Sequence, residues 1–291
     1  MTSTFSHLLK TDLKAAEKHY ILSLRSTPKR SNLPLPFYTL ALNLYSTLRK
    51  PTGVMAVHDT VVRSGIELDG KYWSTLIKST DLKSSRMLFE KVRKTSTYNG
   101  DSRTFIDGAF LSALSKAGLV EEMISFKDAK DEEVVGDSGG SSGVDSELRF
   151  YNLLLKGLNI QLKRRKRIEG GPIEVEAEVM TVLDRMKSEG IAMDEFSYGS
   201  ALQALSLSDD STALLKLYQK MKLNKQLNRP NKILKQALII GLGRDQSKKE
   251  GGLEAVKIFE TIKNKDVKLF NAVMKANYGG EKVWEREAKQ C

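Results

Sequence analysis

The chain has 291 residues, of which 40% are hydrophobic and 29% charged, a composition typical of a folded protein with an apolar core. Forty-seven Lys and Arg outweigh thirty-six Asp and Glu, and the resulting net charge of +11 favours polyanionic partners such as nucleic acid. The single cysteine, Cys291, excludes an intrachain disulfide and a thiolate metal site. No apolar run approaches the roughly 18 residues that a membrane-spanning helix needs.

Residues 1–34 are predicted to form an N-terminal helical cap, because apolar residues recur at helical spacing between Leu13 and Leu24. The first ten residues, MTSTFSHLLK, are rich in Ser and Thr and contain no acid, which weakly indicates organelle targeting. Asp12 and Glu17 weaken that indication.

From residue 35 onward, apolar residues at spacings of three and four predict short helices that come in pairs, with no competing strand alternation. The first helices are predicted around Phe37, Leu40 and Leu44; Trp73, Leu76 and Ile77; Ile106, Phe110, Leu111 and Leu114; Tyr151, Leu154, Leu155 and Leu158; Tyr198, Ala201, Leu202 and Leu205; Leu234, Leu238 and Leu242; and residues 269–276. The second helices are predicted at residues 53–62, 82–92, 119–129, 178–187, 212–222 and 253–263.

Similar four-residue endings recur in four of the second helices, and each begins and ends on a bulky apolar residue. They are Phe89–Val92, Leu183–Met186, Tyr218–Met221 and Phe259–Ile262, and the last three are separated by 35 and 41 residues. Such a helix pair cannot bury its apolar face alone and must stack on its neighbours. We therefore predict an all-α, right-handed superhelical α-solenoid of helix-turn-helix repeats over residues 35–276, followed by a tail at 277–291.

Three insertions are predicted to project from this repeat array as loops. Residues 131–147 are acidic and rich in Gly and Ser, residues 159–172 include the basic run Lys163–Arg167, and residues 244–252 are polar. The basic run could contact a phosphate backbone or act as a nuclear-import signal, although a solvated loop is the commonest explanation for such a run.

Several segments, taken in order, resemble pentatricopeptide repeats over roughly residues 35–276: Leu111–Met123, FYNLLLKGL at 150–158, MKSEGIAMD at 186–194, ALIIGLGR at 237–244 and LEAVKIFETIK at 253–263. The competing interpretation is the tetratricopeptide repeat, a peptide-binding helix pair of similar length with a Trp, Leu-Gly, Tyr, Ala, Phe, Ala, Pro signature. The chain has only Trp73 and Trp284, and no Leu-Gly at the matching place.

The resemblance implies single-stranded RNA binding, in which each repeat reads one base with two or three side chains. In that family one reader follows the aromatic position of the first helix, and the other is the last residue of the repeat. The best match pairs Asn152 with Asp194, a combination that favours uracil in the family. The other candidates are Tyr38 with Asp69, Gln236 with Asp266, Asn271, and Asn231 opposite Gly199, which has no side chain; Ser74 and Gly108 are guesses.

Each acid among these candidates stands where it could instead cap the following helix, and Asn152 could be an asparagine bonded to backbone at the edge of the core. No catalytic set accompanies them: His7, His19 and His58 are scattered, and Gly241-Leu-Gly243 is read as a helix terminus rather than a dinucleotide-binding loop. The fifteen residues after Ala276 contain no aspartate cluster or zinc ligands of a nuclease or deaminase domain. We expect no enzyme activity, cofactor or metal.

The sequence thus predicts a monomeric protein that binds single-stranded RNA in a mitochondrion or plastid, or otherwise in the cytoplasm, without a membrane partner. It would act in RNA processing, stability or translation by binding and recruiting, with other proteins of RNA-processing or ribosomal complexes as further partners. The alternative is a protein–protein scaffold in a ribosome-associated complex. Positive charge concentrated on the first helices would favour RNA, and charge spread over the second helices would not.

Overall fold

A computed structural model describes residues 2–27, 33–134, 144–170, 174–223, 232–244, 249–263 and 267–278. Within these residues all regular secondary structure is helical. The helices are α1 (Thr2–Thr11), α2 (Leu13–Ser26), α3 (Leu35–Thr47), α4 (Pro51–Arg63), α5 (Gly70–Ser79), α6 (Leu82–Val92), α7 (Gly100–Ala117), α8 (Val120–Val134), α9 (Val144–Glu169), α10 (Glu176–Ser188), α11 (Glu195–Leu205), α12 (Thr212–Leu223), α13 (Lys232–Leu242), α14 (Lys249–Glu260) and α15 (Val267–Tyr278).

The helices from α3 onward alternate between two roles. The odd-numbered helices α3 to α15 are called leading helices, and the even-numbered helices α4 to α14 are called second helices. Each predicted first and second helix coincides with one of these, so the predicted all-α fold of helical pairs is confirmed. The chain divides into two compact units, Met1–Leu114 and Ser115–Cys291. The repeat-array bounds 35–276 and the right-handed superhelical sense stay predictions.

In the first unit, α3 packs against α1 on one side and α5 on the other, and α4 packs on both α3 and α5. Aromatic rings fill the centre: the ring centroid of Phe5 lies 5.0 Å from that of Phe37, and Tyr20 lies 5.6 Å from Phe37. The sequence did not predict α1, since Phe5 is the one fully buried side chain it contributes. The Ser- and Thr-rich N-terminal segment is therefore part of the folded core.

In the second unit the leading helices pack in sequence, α9 on α11, α11 on α13 and α13 on α15. The second helices pack against them: α8 and α10 on α9, α12 on α11, and α14 on α13 and α15. Leu154, Leu155, Leu202, Leu238 and Ile239 have no exposed surface. Leading helices thus bury their apolar residues against one another as well as against second helices.

Glycines permit the close approach of neighbouring helices in this unit. A Cβ on Gly157 of α9 would lie 3.3 Å from the Ser115 Cα of α7, and a Cβ on Gly243 would lie 2.5 Å from the Ala272 carbonyl oxygen of α15. Gly241 is crowded in the same way. A Cβ on it would lie 3.1 Å from the Ser206 Cα and closer still to the Leu214 side chain. Gly241-Leu-Gly243 therefore lies at a helix terminus, as predicted, and also sets the spacing of the helices.

The predicted loop at 159–172 is wrong for residues 159–169, because α9 continues to Glu169. Lys and Arg are good helix formers, and three side chains of the basic run bond to neighbouring helices, as described below. The two other predicted loops are shorter than expected, since residues 131–134 and 144–147 belong to α8 and α9 and residues 249–252 belong to α14. Residues 135–143, 171–173 and 245–248 lie outside the described residues.

Two helix-interior glycines give a matched test of this packing. Gly241→Ala should destabilise the protein by about 1–3 kcal/mol, because the new methyl group meets backbone as well as Leu214. Gly199→Ala should stabilise it by about 0.5–1 kcal/mol, because the methyl group meets only Leu234 Cδ2 at 3.6 Å. Urea unfolding followed by circular dichroism measures both changes. Equal effects of the two substitutions would contradict this account of the packing.

Candidate nucleic-acid interface

One face of α9 is apolar and buried, and the opposite face is charged. The buried side comprises Tyr151, Leu154, Leu155, Leu158 and Leu162. At about 100° per residue, the side chains on the other side fall within an arc of roughly 100°, and we call them the open face of α9. They are Arg149, Asn152, Lys156, Lys163 and Arg167, of which all but the half-buried Asn152 are exposed.

Positive charge dominates this face, although the exposed Asp145 lies on it one turn before Arg149. The sequence from Arg149 to Arg167 contains no Asp or Glu. Arg149, Lys156 and Lys163 are spaced by seven residues, so they repeat along the helix at intervals of about 10 Å. The open face of α9 is therefore a line of cations with an amide beside it.

Asn152 stands at the edge of this face next to the N-terminus of α11. Its Nδ2 donates to Asp194, with the two carboxylate oxygens at 3.2 and 3.3 Å. Its Oδ1 accepts from Ser197 Oγ at 2.7 Å. The predicted pair Asn152 and Asp194, separated by 42 residues in the chain, is thus brought into direct contact.

Asp194 also caps α11. Its Oδ1 accepts from the Ser197 backbone N–H at 2.8 Å, and the Ser197 Oγ accepts from the Asp194 backbone N–H at 3.3 Å. This reciprocal arrangement is a capping box, which satisfies amide groups that a helix N-terminus would otherwise leave unpaired. The helix-capping role anticipated for the acid is therefore present, together with the contact to Asn152.

A hydrogen bond between two side-chain amides also joins α9 to α11, two turns further along α9. Asn159 Nδ2 donates to Gln203 Oε1 at 3.0 Å. Between the two bonded clusters, α11 presents Gly199, and one turn before it Phe196, whose side chain is 75% exposed. The surface formed by α9 and α11 therefore combines cations, amides and one exposed aromatic ring.

The basic run at the end of α9 is divided between structural and exposed positions. Arg164 donates to the Ala117 carbonyl oxygen at the end of α7, and Arg165 pairs with Glu178 of α10. Lys166 donates to the Leu207 carbonyl oxygen at 2.6 Å and to Asp209 at 2.9 Å. Cations at helix C-termini are stabilising because the carbonyl groups there carry partial negative charge.

Arg244 is a further cation at a helix C-terminus. It donates a hydrogen bond to the Ser206 carbonyl oxygen at the end of α11. Burial lowers the pKa of its guanidinium, with Asp209 opposing that effect. Three side chains of the basic run are thus engaged in packing, and Lys163 and Arg167 are exposed on the open face.

Charge is divided between the two classes of helix. The leading helices α3 to α15 contain fifteen Lys and Arg and six Asp and Glu, a net charge of +9. The second helices α4 to α14 contain thirteen Lys and Arg and fourteen Asp and Glu, a net charge of −1. The Lys and Arg are nearly equally divided, and the leading helices are net positive because they contain fewer acids. A net positive charge on the leading helices is the distribution that the RNA hypothesis predicts.

Three carboxylates surround one lysine of the second helix α8. Lys127 of α8 lies 2.9 Å from both Asp131 and Glu147 and 3.8 Å from Glu189. Burial lowers the pKa of Lys127, but the hydrogen bonds that it donates to the two nearer carboxylates, together with their charge, outweigh burial and hold that pKa above its usual value. Among the residues that the structure describes, no group of three or more His, Cys, Asp and Glu could hold a metal ion.

The solved structures that resemble this chain include three of one protein. The pentatricopeptide repeat protein PPR10 from maize matches with a TM-score of 0.44 and 15% identity, over 99% of this chain and 43% of that one. Two structures of PPR10 with an 18-nt psaJ RNA element, one of them a triple Cys-to-Ser variant, each match with a TM-score of 0.36 and 17% identity over 99% and 52%. The chain resembles the pentatricopeptide repeat proteins. It spans about half the length of these PPR10 chains. No protein-family model and no curated protein matches it.

The pentatricopeptide resemblance predicted further readers, and the structure contradicts one of them. Tyr38 has no exposed surface and lies edge-on to Phe37, so it belongs to the aromatic core and cannot contact RNA. Its partner Asp69 is exposed and caps α5, where its Oδ1 accepts from the Tyr72 backbone N–H at 2.6 Å. Ser74, one of the guesses, is also buried.

Of the remaining predicted readers, Gln236 is half-buried on α13 and Asn271 is exposed on α15. Asn231 and Asp266 lie outside the described residues. Ser197 was not predicted from the sequence, although its spacing of three residues after Asp194 indicates a capping box. Arg149 and Lys156 were not predicted either, and their seven-residue spacing to Lys163 was the available signal.

A double-mutant cycle on Asn152→Ala and Asp194→Ala tests the contact between α9 and α11. Because a charged carboxylate accepts from the amide in a half-buried site, we expect a coupling free energy of about 0.5–1.5 kcal/mol. Urea unfolding of the two single variants and the double variant measures it. Additive effects within about 0.3 kcal/mol would show that the two side chains do not interact in solution.

Proposed function

We propose that this protein binds single-stranded RNA along the exposed faces of its leading helices and acts by binding rather than catalysis. The observation that carries the proposal is the charge division, with net +9 on the leading helices and net −1 on the second helices. It favours RNA over the protein-scaffold alternative, for which charge would not need to follow the helix class. A role in RNA processing, stability or translation in a mitochondrion or plastid remains a prediction from the resemblance.

Phosphate contacts would supply most of the affinity. Arg149, Lys156 and Lys163 repeat along α9 without an intervening acid, and cations of this kind displace the counterions of a nucleic acid. Such contacts are independent of sequence and determine where the strand lies rather than which bases it carries.

Base recognition would be uneven along the interface. Asn152 and Asp194 offer donors and acceptors to the edge of a base, and their mutual hydrogen bonds hold them in place. The neighbouring repeat has Gly199 at the reader position and offers no side chain there. The exposed ring of Phe196, one turn earlier, provides a stacking surface that tolerates any base. We therefore propose one selective position next to one tolerant position.

The phosphate contacts can be tested by removing two cations from the open face of α9. Arg149→Gln with Lys156→Gln should weaken binding to every single-stranded RNA and reduce the slope of log affinity against log salt by about two. The matched control, Lys216→Gln with Lys220→Gln, removes the same charge from exposed positions of the second helix α12 and should leave the slope unchanged. Fluorescence anisotropy at several salt concentrations measures both. Equal losses in the two variants would point to non-specific charge attraction and contradict the proposed surface.

Base selection can be tested with Asn152→Ala. This variant should lose discrimination at a single nucleotide position while its affinity for a mixed RNA pool changes little, because one reader among several contacts is removed. The control Gln219→Ala removes an exposed amide from α12 and should keep the wild-type preferences. Selection from a pool of random single-stranded RNAs, followed by sequencing, gives the preference at each position. Unchanged preferences in Asn152→Ala would refute the assignment of Asn152.

A further inference from the structure

Ser197 of α11 makes a contact that helix capping does not require. Its side chain is fully buried, and its Oγ lies 2.7 Å from Asn152 Oδ1 on α9, 45 residues away in the chain. This is the shortest hydrogen bond in the cluster that joins Asn152, Asp194 and Ser197. The Oγ is also 2.9 Å from Asp194 Oδ1, but a hydroxyl has a single hydrogen and the nearer acceptor is the amide oxygen.

The two partners of Asn152 require opposite ends of its amide. An ionised carboxylate only accepts hydrogen bonds, so Asp194 requires the amide nitrogen to face it. The amide oxygen then faces Ser197, which donates to it. A turned amide would place its oxygen against the carboxylate and lose both bonds. The arrangement leaves one N–H and one oxygen lone pair of Asn152 for a ligand, in a fixed order.

That order matters because the two pyrimidines of RNA present inverse patterns. Uracil offers an acceptor at O4 beside a donor at N3–H, and cytosine offers a donor at N4 beside an acceptor at N3. An amide that can turn over is able to pair with either edge. An amide held in one orientation matches only one of them.

We propose that Ser197 is a positioning residue that holds the Asn152 amide in one orientation and thereby makes α9 selective between uracil and cytosine. The proposal rests on the proposed RNA-binding function and extends it to a residue that touches no RNA. A purely structural role for Ser197, as half of the capping box, would affect stability without changing base preference.

The test compares Ser197→Ala with the conservative variant Ser197→Thr, which keeps the hydroxyl donor. Ser206→Ala is the matched control, because Ser206 is a buried serine at the other end of α11 whose hydroxyl donates to the Gln203 carbonyl oxygen at 2.8 Å. Each full-length variant selects from a pool of random single-stranded RNAs. The position read by Asn152 is the one whose preference is lost in Asn152→Ala.

At that position we expect the ratio of uracil to cytosine to fall about fivefold in Ser197→Ala, as the loss of one hydrogen bond predicts, with a smaller change in total affinity. Ser197→Thr should restore the ratio, and Ser206→Ala should keep it. A wild-type ratio in Ser197→Ala overturns the proposal, as does an equal fall in Ser206→Ala. Binding by the wild type without any pyrimidine preference overturns this inference alone, whereas no RNA binding at all overturns the proposed function.

A second measurement follows the Asn152 amide itself. It needs neither RNA nor the Ser197→Thr variant, whose additional methyl group enters a buried site. In the nuclear magnetic resonance spectrum of the wild type, the two side-chain amide hydrogens of Asn152 should be distinct and slow to exchange with solvent. In Ser197→Ala they should exchange several times faster, because the amide has lost the bond that holds its oxygen. Equal exchange rates in the two proteins would show that Ser197 does not hold the amide.

Discussion

Short amphipathic helix pairs depend on their neighbours for burial, and this constraint explains most of what the chain shows. A helix of eleven residues such as α11 or α13 has too few apolar side chains to be stable alone. It becomes stable when its leading neighbours and a second helix cover it. The contacts of α9 with α11, α11 with α13, and α13 with α15 provide this cover, and glycines such as Gly157 and Gly243 allow the backbones to approach.

The same packing determines what is left for function. Once the apolar side of α9 is buried against α8, α10 and α11, the side chains that remain outside include Arg149, Lys156, Lys163 and Arg167. Acids are more numerous on the second helices, where Lys127 pairs with Asp131 and Arg185 pairs with Asp128. The charged face of α9 is therefore a by-product of how the repeats achieve stability, and its positive charge favours a polyanionic partner.

The cluster of Asn152, Asp194 and Ser197 both stabilises the helices and contains the proposed base reader. Asp194 caps α11, and the same carboxylate accepts from the amide that is proposed to read a base. The capping interpretation and the reader interpretation are consequently not alternatives at this position. A side chain that is already hydrogen-bonded on one side loses less conformational entropy on binding, which is the advantage of a preorganised site.

Periodicity was sufficient to predict the leading and second helices, because each buries several apolar residues at helical spacing. It failed for α1, which contributes one fully buried side chain, and for the end of α9, where the basic run suggested an inserted loop but neighbouring helices hold the basic side chains. Tyr38 was misassigned because the rotation of α3 is set by packing against α1 and α5, which a single helix sequence does not reveal. Asn152 and Asp194 were predicted as a pair of base readers, but their direct contact and the role of Ser197 depend on distances across two helices.

The central claim is that RNA lies on the leading helices rather than on the second helices. Photochemical cross-linking of the full chain to single-stranded RNA containing a photoreactive uridine, followed by mass spectrometry of the linked peptides, tests it most directly. If RNA lies on the leading helices, the linked peptides in the second unit come from residues 149–167 of α9 and 195–205 of α11. Linked peptides confined to α8, α10 and α12 would contradict it.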